Sequence, residues 1–268
     1  MSVENTKLYI TLVLVGFALL ELALGRFVHR KTSTFKDVVM DLGSALLVPL
    51  VIVQLILSLS PWIAERLVPH SQGWLAHWPA WAMFGVLLVA DDLTQYLWHR
   101  ASHTPLLYPL HRAHHSGGYM SVRIVYRNNL VYYLFMPGLW LSGVLVYWGF
   151  GAVYPVYLAA KMTVIIGAHS SVPWDAPLYR WRLTRPLMWV VERVISTPAT
   201  HAAHHGLHAG DGVTHYKGNY GNFLFLWDVL FGTARITRRR PVEFGIENLP
   251  PMGLVEEFVW PQSMLRRR

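Results

Sequence analysis

The chain has 268 residues, of which 53% are hydrophobic, 13% aromatic and only 14% charged, well short of the roughly 25% charged residues usual in soluble domains. The absence of cysteine excludes disulfides, zinc ribbons, iron–sulfur clusters and thiol catalysis, so any metal must be held by histidine, carboxylate or backbone oxygen. Lys plus Arg outnumber Asp plus Glu by 23 to 15, and the apolar runs described next make membrane topology, not nucleic acid, the source of that excess.

Three apolar runs come first, Leu8 to Leu24, Val38 to Leu59 and Trp81 to Trp98. Each approaches the roughly 20 residues that cross a bilayer core of about 30 Å as helix, so three transmembrane spans are expected. The first lacks a small-residue cleavage site after it and is expected to stay in the protein. Cytoplasmic loops retain Lys and Arg, and Arg26, Arg30, Lys31 and Lys36 lie between the first two spans. That loop is therefore assigned to the cytoplasm, with the N-terminus outside. The third span then ends in the cytoplasm too, followed by Arg100 and Arg112, with Arg238, Arg239, Arg240, Arg266, Arg267 and Arg268 in the tail. Asp91 and Asp92 near the end of that span are costly facing lipid, so at least one should face the bundle interior.

The stretch from Leu130 to Phe150, a glycine-rich break, and the stretch from Val153 to Gly167 read as a helical hairpin that enters the membrane and returns; Lys161 in the returning arm sits badly with lipid. From Ser170 onward no run is apolar enough to span. Instead, residues 174–194 interleave Trp174, Trp181 and Trp189 with Arg180, Arg182, Arg185 and Arg193, the mixture expected of helix lying at lipid headgroups. The expected fold is all-α, a polytopic transmembrane helix bundle with a cytosolic helical cap. It forms one domain over 1–268, with three spans in 1–98, the first histidine boxes in 99–129, the membrane hairpin in 130–169, and the cap with the last box in 170–268.

The chemistry lies in histidine spacing. His99 and His103 are four apart, which on a helix places both on one face, and Tyr96 and Asp92 precede His99 by three and seven on that same face. The segments HRAHH (111–115) and HAAHH (201–205) repeat one spacing. One helical turn is expected to present His111, His114 and His115 to one place, and another to present His201, His204 and His205. These eight imidazoles exceed the four ligands of a single structural zinc; two metal ions use them better. Nitrogen ligands throughout admit iron, zinc, copper or nickel. His169, at the end of the returning arm, is a ninth. His29, His70 and His77 are read as structural, and His208 and His215 as loop or supporting residues.

Other functions fit less well. A metalloprotease wants HExxH, and no Glu follows a boxed histidine. A bis-histidine haem carrier leaves most of these residues unused. A non-catalytic metal-binding or transport protein, the alternative retained, would more naturally space histidines along a path across the bilayer.

The order HRASH, HRAHH, HAAHH, closed by GNYGNFLFLWDVLFGT (218–233), resembles the fatty acid hydroxylase and sterol desaturase superfamily of integral-membrane oxygenases, over Asp92 to about Thr233. The closing block, with Asn219, Tyr220, Gly221, Trp227, Asp228, Phe231, Gly232 and Thr233, makes the resemblance more specific than the boxes alone. It departs from the family in the loop GLHAGDGVTHYK between the last box and that block. The resemblance implies metal ligands at His99, His103, His111, His114, His115, His169, His201, His204 and His205. It further implies two iron ions that activate dioxygen to hydroxylate or desaturate a lipid C–H bond, with zinc possible in purified material. The lipid it implies is a sterol, fatty acyl or ether lipid, and it implies a separate reductase with a ferredoxin or small cytochrome as the source of electrons. Metal-bound imidazoles commonly donate their other N–H to a carboxylate or carbonyl, and Asp92 and Asp228 are the carboxylates best placed to receive it. Tyr96 and Asn219 are expected to orient ligands.

Overall fold

The computed structural model describes residues 1–259, so Arg266, Arg267 and Arg268 of the charge argument lie outside the described residues. Among these the secondary structure is helical, with only two isolated β-bridges, Ile195 to Leu224 and Gly206 to Phe244, and no strand.

Helix α1 (Val3–Ala23) begins where the Ser2 side chain accepts from the Asn5 backbone N–H, with Glu4 in the first turn, an arrangement that satisfies an orphan donor and complements the helix dipole. Helix α2 (Phe35–Leu67) starts from a capping box between Thr34 and Asp37. It widens into a π turn at Val48–Ile52, where Pro49 has no N–H to give and its ring crowds the preceding turn. Among the described residues, α1 and α2 are the two helices long and apolar enough to cross a membrane, and only 11% and 17% of their apolar windows are buried. A core helix of a soluble protein would be mostly covered; these present Leu8, Leu12 and Leu19, and Leu42, Leu46 and Leu50, outward. The chain is thus built to associate with a membrane.

The expected third span is a helix of different character. It runs Ala80–Leu87, a π turn Leu88–Leu93, then Thr94–Ser102, together called α3, and it is not among the helices that meet the length and apolarity of a span. Its π turn carries Asp91 and Asp92, both buried. Asp91 pairs with Lys161 at 2.7 Å, both groups away from solvent. The charge that fits badly in the hairpin's returning arm is therefore one half of an internal ion pair, which spares each group an uncompensated burial.

The expected hairpin is broken into Leu130–Leu134, α5 (Pro137–Tyr147) and α6 (Tyr154–His169), preceded by α4 (Tyr108–His115). Pro137 and Pro155 sit in the first turns of α5 and α6, where a missing N–H costs nothing. At 1.5 Å per residue, α5 rises only about 16 Å, roughly half a bilayer core. It packs on α2, and the approach is close at Gly143, where an added Cβ would run into the Ser60 side chain. Small residues let helix backbones meet in this way. Met83 and Leu87 of α3, Leu145 of α5, Phe150, Tyr157 of α6 and Phe223 form one core cluster, which joins α3, α5 and α6 to the segment around residue 223.

Helix α1 packs along α6 and is clamped to its end by Glu21, fully buried. Its carboxylate accepts from Ser121 Oγ (2.6 Å), Ser170 Oγ (3.0 Å) and the Ser171 N–H (2.8 Å). The segment 174–194 folds as Ala176–Arg180 and α7 (Arg185–Val194), with Trp181, Leu183, Leu187, Trp189, Val190 and Val194 exposed. Helix α8 (Pro198–His204), capped by Thr197 and Thr200, packs on α6, and Leu226–Leu230 forms a short helix, α9.

Candidate metal centre

Four helix ends converge on the histidines: the C-terminal turns of α3 (His99, His103), α4 (His111, His114, His115), α6 (His169) and α8 (His201, His204, His205). All nine candidates come together, and they sort into two adjoining groups. The first is His99, His103, His111, His115 and His204; the second is His114, His169, His201 and His205; within each, the ligand atoms lie within 4.8 Å of one another. The groups meet where the rings of His115 and His205 stack at 4.3 Å. The expectation that each HxxHH box faces one place is corrected: each box is divided. On a helix of 3.6 residues per turn, the first and fifth positions of a box are offset by about 40°, while the fourth lies about 100° from the fifth. His111 and His115 therefore turn to the first group and His114 to the second, and His201 and His205 to the second and His204 to the first.

Backbone carbonyls orient the rings. His99 Nδ1 donates to Tyr220 O (2.6 Å), His204 Nδ1 to Gly218 O (2.7 Å), His114 Nδ1 to Arg127 O (2.9 Å) and His169 Nδ1 to Ile165 O (2.8 Å). A carbonyl only accepts, so in a neutral imidazole the proton sits on Nδ1 and Nε2 is a lone-pair donor. Burial keeps these rings neutral. Burial, followed by neighbouring imidazoles, pushes His111, His115, His201, His204 and His205 well below the usual histidine range. His99 Nε2 and His204 Nε2 face each other at 3.0 Å, two lone pairs with both protons committed elsewhere. His201 Nε2 and His169 Nε2 are also 3.0 Å apart, and His115 Nε2 and His111 Nε2 3.2 Å. His103 Nε2, His205 Nε2 and His201 Nδ1 are buried without a hydrogen-bond partner among the described residues. Clustered, neutral, partly unpartnered imidazole nitrogens are a donor set suited to transition-metal cations.

Residues 84–233 match the model of the fatty acid hydroxylase family. The chain belongs to that family. The matched span holds all nine histidines and ends at Thr233, where the sequence resemblance ends. The chain is also similar to the ornithine lipid hydroxylase OlsE of Rhizobium tropici, 30% identical over 202 residues, which cover 74% of this chain and 56% of that protein. It thus spans about half the length of the curated relative it matches. No solved structure matches.

In this fatty acid hydroxylase family member the four other site candidates do not touch the imidazoles; they hold the segment that does. Asp228 accepts from the Tyr220 N–H (2.9 Å), the Gly221 N–H (2.6 Å) and Thr233 Oγ1 (2.6 Å), and Tyr96 OH meets Thr233 Oγ1 at 2.9 Å. Asn219, at φ +56°, donates to Thr200 O (2.9 Å) and Arg235 O (3.0 Å) and accepts from the Arg235 N–H (2.7 Å). Asp92 accepts from Trp227 Nε1 (2.8 Å) and the Leu224 N–H (3.1 Å), tying α3 to the segment that leads into α9. Asp92 and Asp228 were expected to receive imidazole N–H groups; the carbonyls of residues 218 and 220 do so, and the carboxylates anchor the loops around them. Sequence reading misses those carbonyls because every residue carries one. The signal was the closing block itself, whose glycines allow the fit: a Cβ at Gly218 would strike the Thr233 carbonyl and the His215 ring. His208 is remote, exposed between Glu243 and Glu247.

Gly218→Ala must displace the loop whose carbonyl orients His204. Changes to such supporting partners cost about 10- to 100-fold in metal affinity, so metal content after dialysis is expected to fall. Unchanged retention would show that the loop does not position the ring.

Proposed function

We propose that the chain is a membrane-bound non-haem di-iron oxygenase that hydroxylates a C–H bond of a lipid with dioxygen and externally supplied electrons. The observation that carries this reading is the pair of Nε2 lone pairs of His99 and His204, held 3.0 Å apart with both Nδ1 protons given to carbonyls. Such a pair is repulsive by itself and favourable around a shared cation. The five-imidazole group would hold one ion and the four-imidazole group a second. Bound iron would supply the one-electron and dioxygen chemistry that zinc, with no redox chemistry, does not.

The chain's own part is to fix the donors before the metal arrives. Carbonyls 127, 165, 218 and 220 set ring tautomer and angle, Asp228 and Asn219 hold the 218–221 segment, and burial of the basket keeps the imidazoles neutral and water out. The hydroxylase name of the relative supports lipid as substrate and hydroxylation as outcome. In this reading α1, α2 and α3 cross the bilayer, 130–169 dips into it, and the described residues from 170 onward form a cytoplasmic cap where a reductase with a ferredoxin or small cytochrome delivers electrons. Reporter fusions after Ala76 and after Arg268 should then lie on opposite sides of the membrane; the same side for both would refute that topology.

The test of the chemistry is expression in a host with and without the gene under ¹⁸O₂, with lipidomics and metal analysis of the purified chain. The expected result is about two irons per chain and a lipid species heavier by one ¹⁸O atom. A chain that binds metal yet leaves the host lipids unlabelled and unchanged would instead be a metal-binding or transport protein.

A further inference from the structure

His103 differs from the other eight histidines in being only partly covered, and its ring forms the inner wall of an open cleft of about 430 Å³. That volume falls within the roughly 300–1,000 Å³ of small-molecule sites. One side of the cleft is a single face of α3 and its extension, where Leu97, Arg100 and Thr104 recur at helical spacing. The other side is Lys217 and Tyr220, on the segment whose carbonyls hold His204 and His99. Each wall therefore carries a cation beside a residue that makes or supports the first histidine group.

Arg100 and Lys217 are both exposed, and among the described residues neither side chain takes part in an ion pair or hydrogen bond. Elsewhere in the chain Arg112, Arg127 and Arg238 are each matched to a carboxylate. Arg100 lies in the last turn of its helix, where a cation also offsets the helix dipole. The dipole does not account for Lys217, which reaches the same cleft from a different segment. No carboxylate lines the cleft, so a guanidinium and an ammonium flank a concave site that ends on a histidine of the metal basket.

We propose that this cleft recognises the anionic group, phosphate or carboxylate, of the lipid substrate. The inference rests on the reading above that the substrate is a lipid, and it adds that this lipid is acidic at its head. Guanidinium and ammonium groups bind such oxygens through charge-assisted hydrogen bonds. Arg100 and Lys217 are here binding residues that set specificity and orientation, separate from the nine histidines.

The test uses the full chain purified in detergent and measures lipid retention by native mass spectrometry, with dioleoyl phosphatidate as the acidic probe and dioleoylglycerol as its uncharged counterpart. The wild-type chain is expected to prefer phosphatidate. R100Q and K217Q should each weaken that preference by about tenfold, as expected for one lost hydrogen bond to a charged group, and the double variant should abolish it. The exposed single positions keep the test decisive should the double variant misfold. R182Q/R185Q, at a second cationic cleft lined by Trp189 and Arg238, should leave the preference unchanged. An equal loss there would reduce the effect to net charge and overturn the proposal, as would an undiminished preference in R100Q and K217Q. Displacement of phosphatidate by an equal concentration of inorganic phosphate would assign the cleft to a soluble anion. Normal lipid retention with slowed reduction by an acidic electron donor would make it a protein docking surface. Either result overturns the lipid assignment. A chain that discriminates phosphatidate but holds no iron and oxidises no lipid would overturn the proposed hydroxylase and leave this site standing.

Discussion

His204→Ala and His114→Ala are each expected to abolish lipid oxidation while removing different metal ions, His204 from the five-histidine group and His114 from the four-histidine group. Metal content should fall from about two ions per chain to about one in each variant. Membrane insertion should be unaffected, because it depends on apolar helices to which neither residue belongs. The double variant should be no less active than either single one, since groups acting as a unit are far from additive. The division of the boxes makes a sharper demand: the neighbours His114 and His115 should behave as members of different sites, with His115→Ala resembling His204→Ala and His114→Ala resembling His205→Ala. Mössbauer spectra of ⁵⁷Fe-loaded variants distinguish the two patterns, because five and four imidazoles make inequivalent subsites. Loss of the same subsite from His114→Ala and His115→Ala would sink the division, and full metal content with normal turnover in His204→Ala would sink the paired site altogether.

Arg127→Met is expected to be among the most destabilising single changes in the chain. Arg127 is 1% exposed, and its guanidinium donates to the Ala113 carbonyl (2.9 Å) and Ser116 Oγ (2.8 Å) while pairing with Asp37 (2.8 Å) and Asp41 (3.2 Å). Its own carbonyl accepts from His114. Removing the cation leaves three largely buried carboxylates, Asp37, Asp41 and Glu257, short of a partner, although Asp41 keeps Arg123 at 2.8 Å and Glu257 keeps Lys36 at 2.7 Å. Breaking a buried pair from one side costs about 3–5 kcal/mol, which lowers the apparent melting temperature of a chain this size by roughly 10 °C or more. Thermal scanning of the detergent-solubilised chain reads the shift. Adding Asp37→Asn to Arg127→Met should recover part of the loss, because Arg127 is the one ion-pair partner of Asp37 among the described residues and the charge left alone disappears. A melting temperature unmoved by Arg127→Met would mean that α2 and the loop after α4 are held together by other contacts.

The parts of the site that were legible in the sequence are those written locally. HxxxH and HxxHH are helical spacings that survive whatever the helix packs against, and one box of the first kind with two of the second named eight histidines. His169 stood out only by its position, at the end of an apolar arm, and the structure brings it to the second group with His201. The apolar runs 8–24 and 38–59 were legible for the same reason, as composition sustained over the length of a helix; α1 begins before its run and ends at Ala23, and α2 extends past its run at both ends. The run 81–98 was less well read. Its aspartates sit in a π turn and contact Lys161 on α6 and Trp227 on α9, residues 70 and 135 positions away.

By itself, then, the sequence determined the helical class, the two long apolar helices, the family and the nine imidazoles, because each of these depends on residue type at short and regular spacing. Tertiary structure alone decided how the imidazoles are shared between two groups, which depends on where α3, α4, α6 and α8 converge. It alone decided which atoms take the imidazole protons. Those are backbone carbonyls, present at every residue and distinguished only by where the folded chain puts them. The same holds for Lys161, which reads as misplaced in an apolar arm until the carboxylate of Asp91 comes within reach.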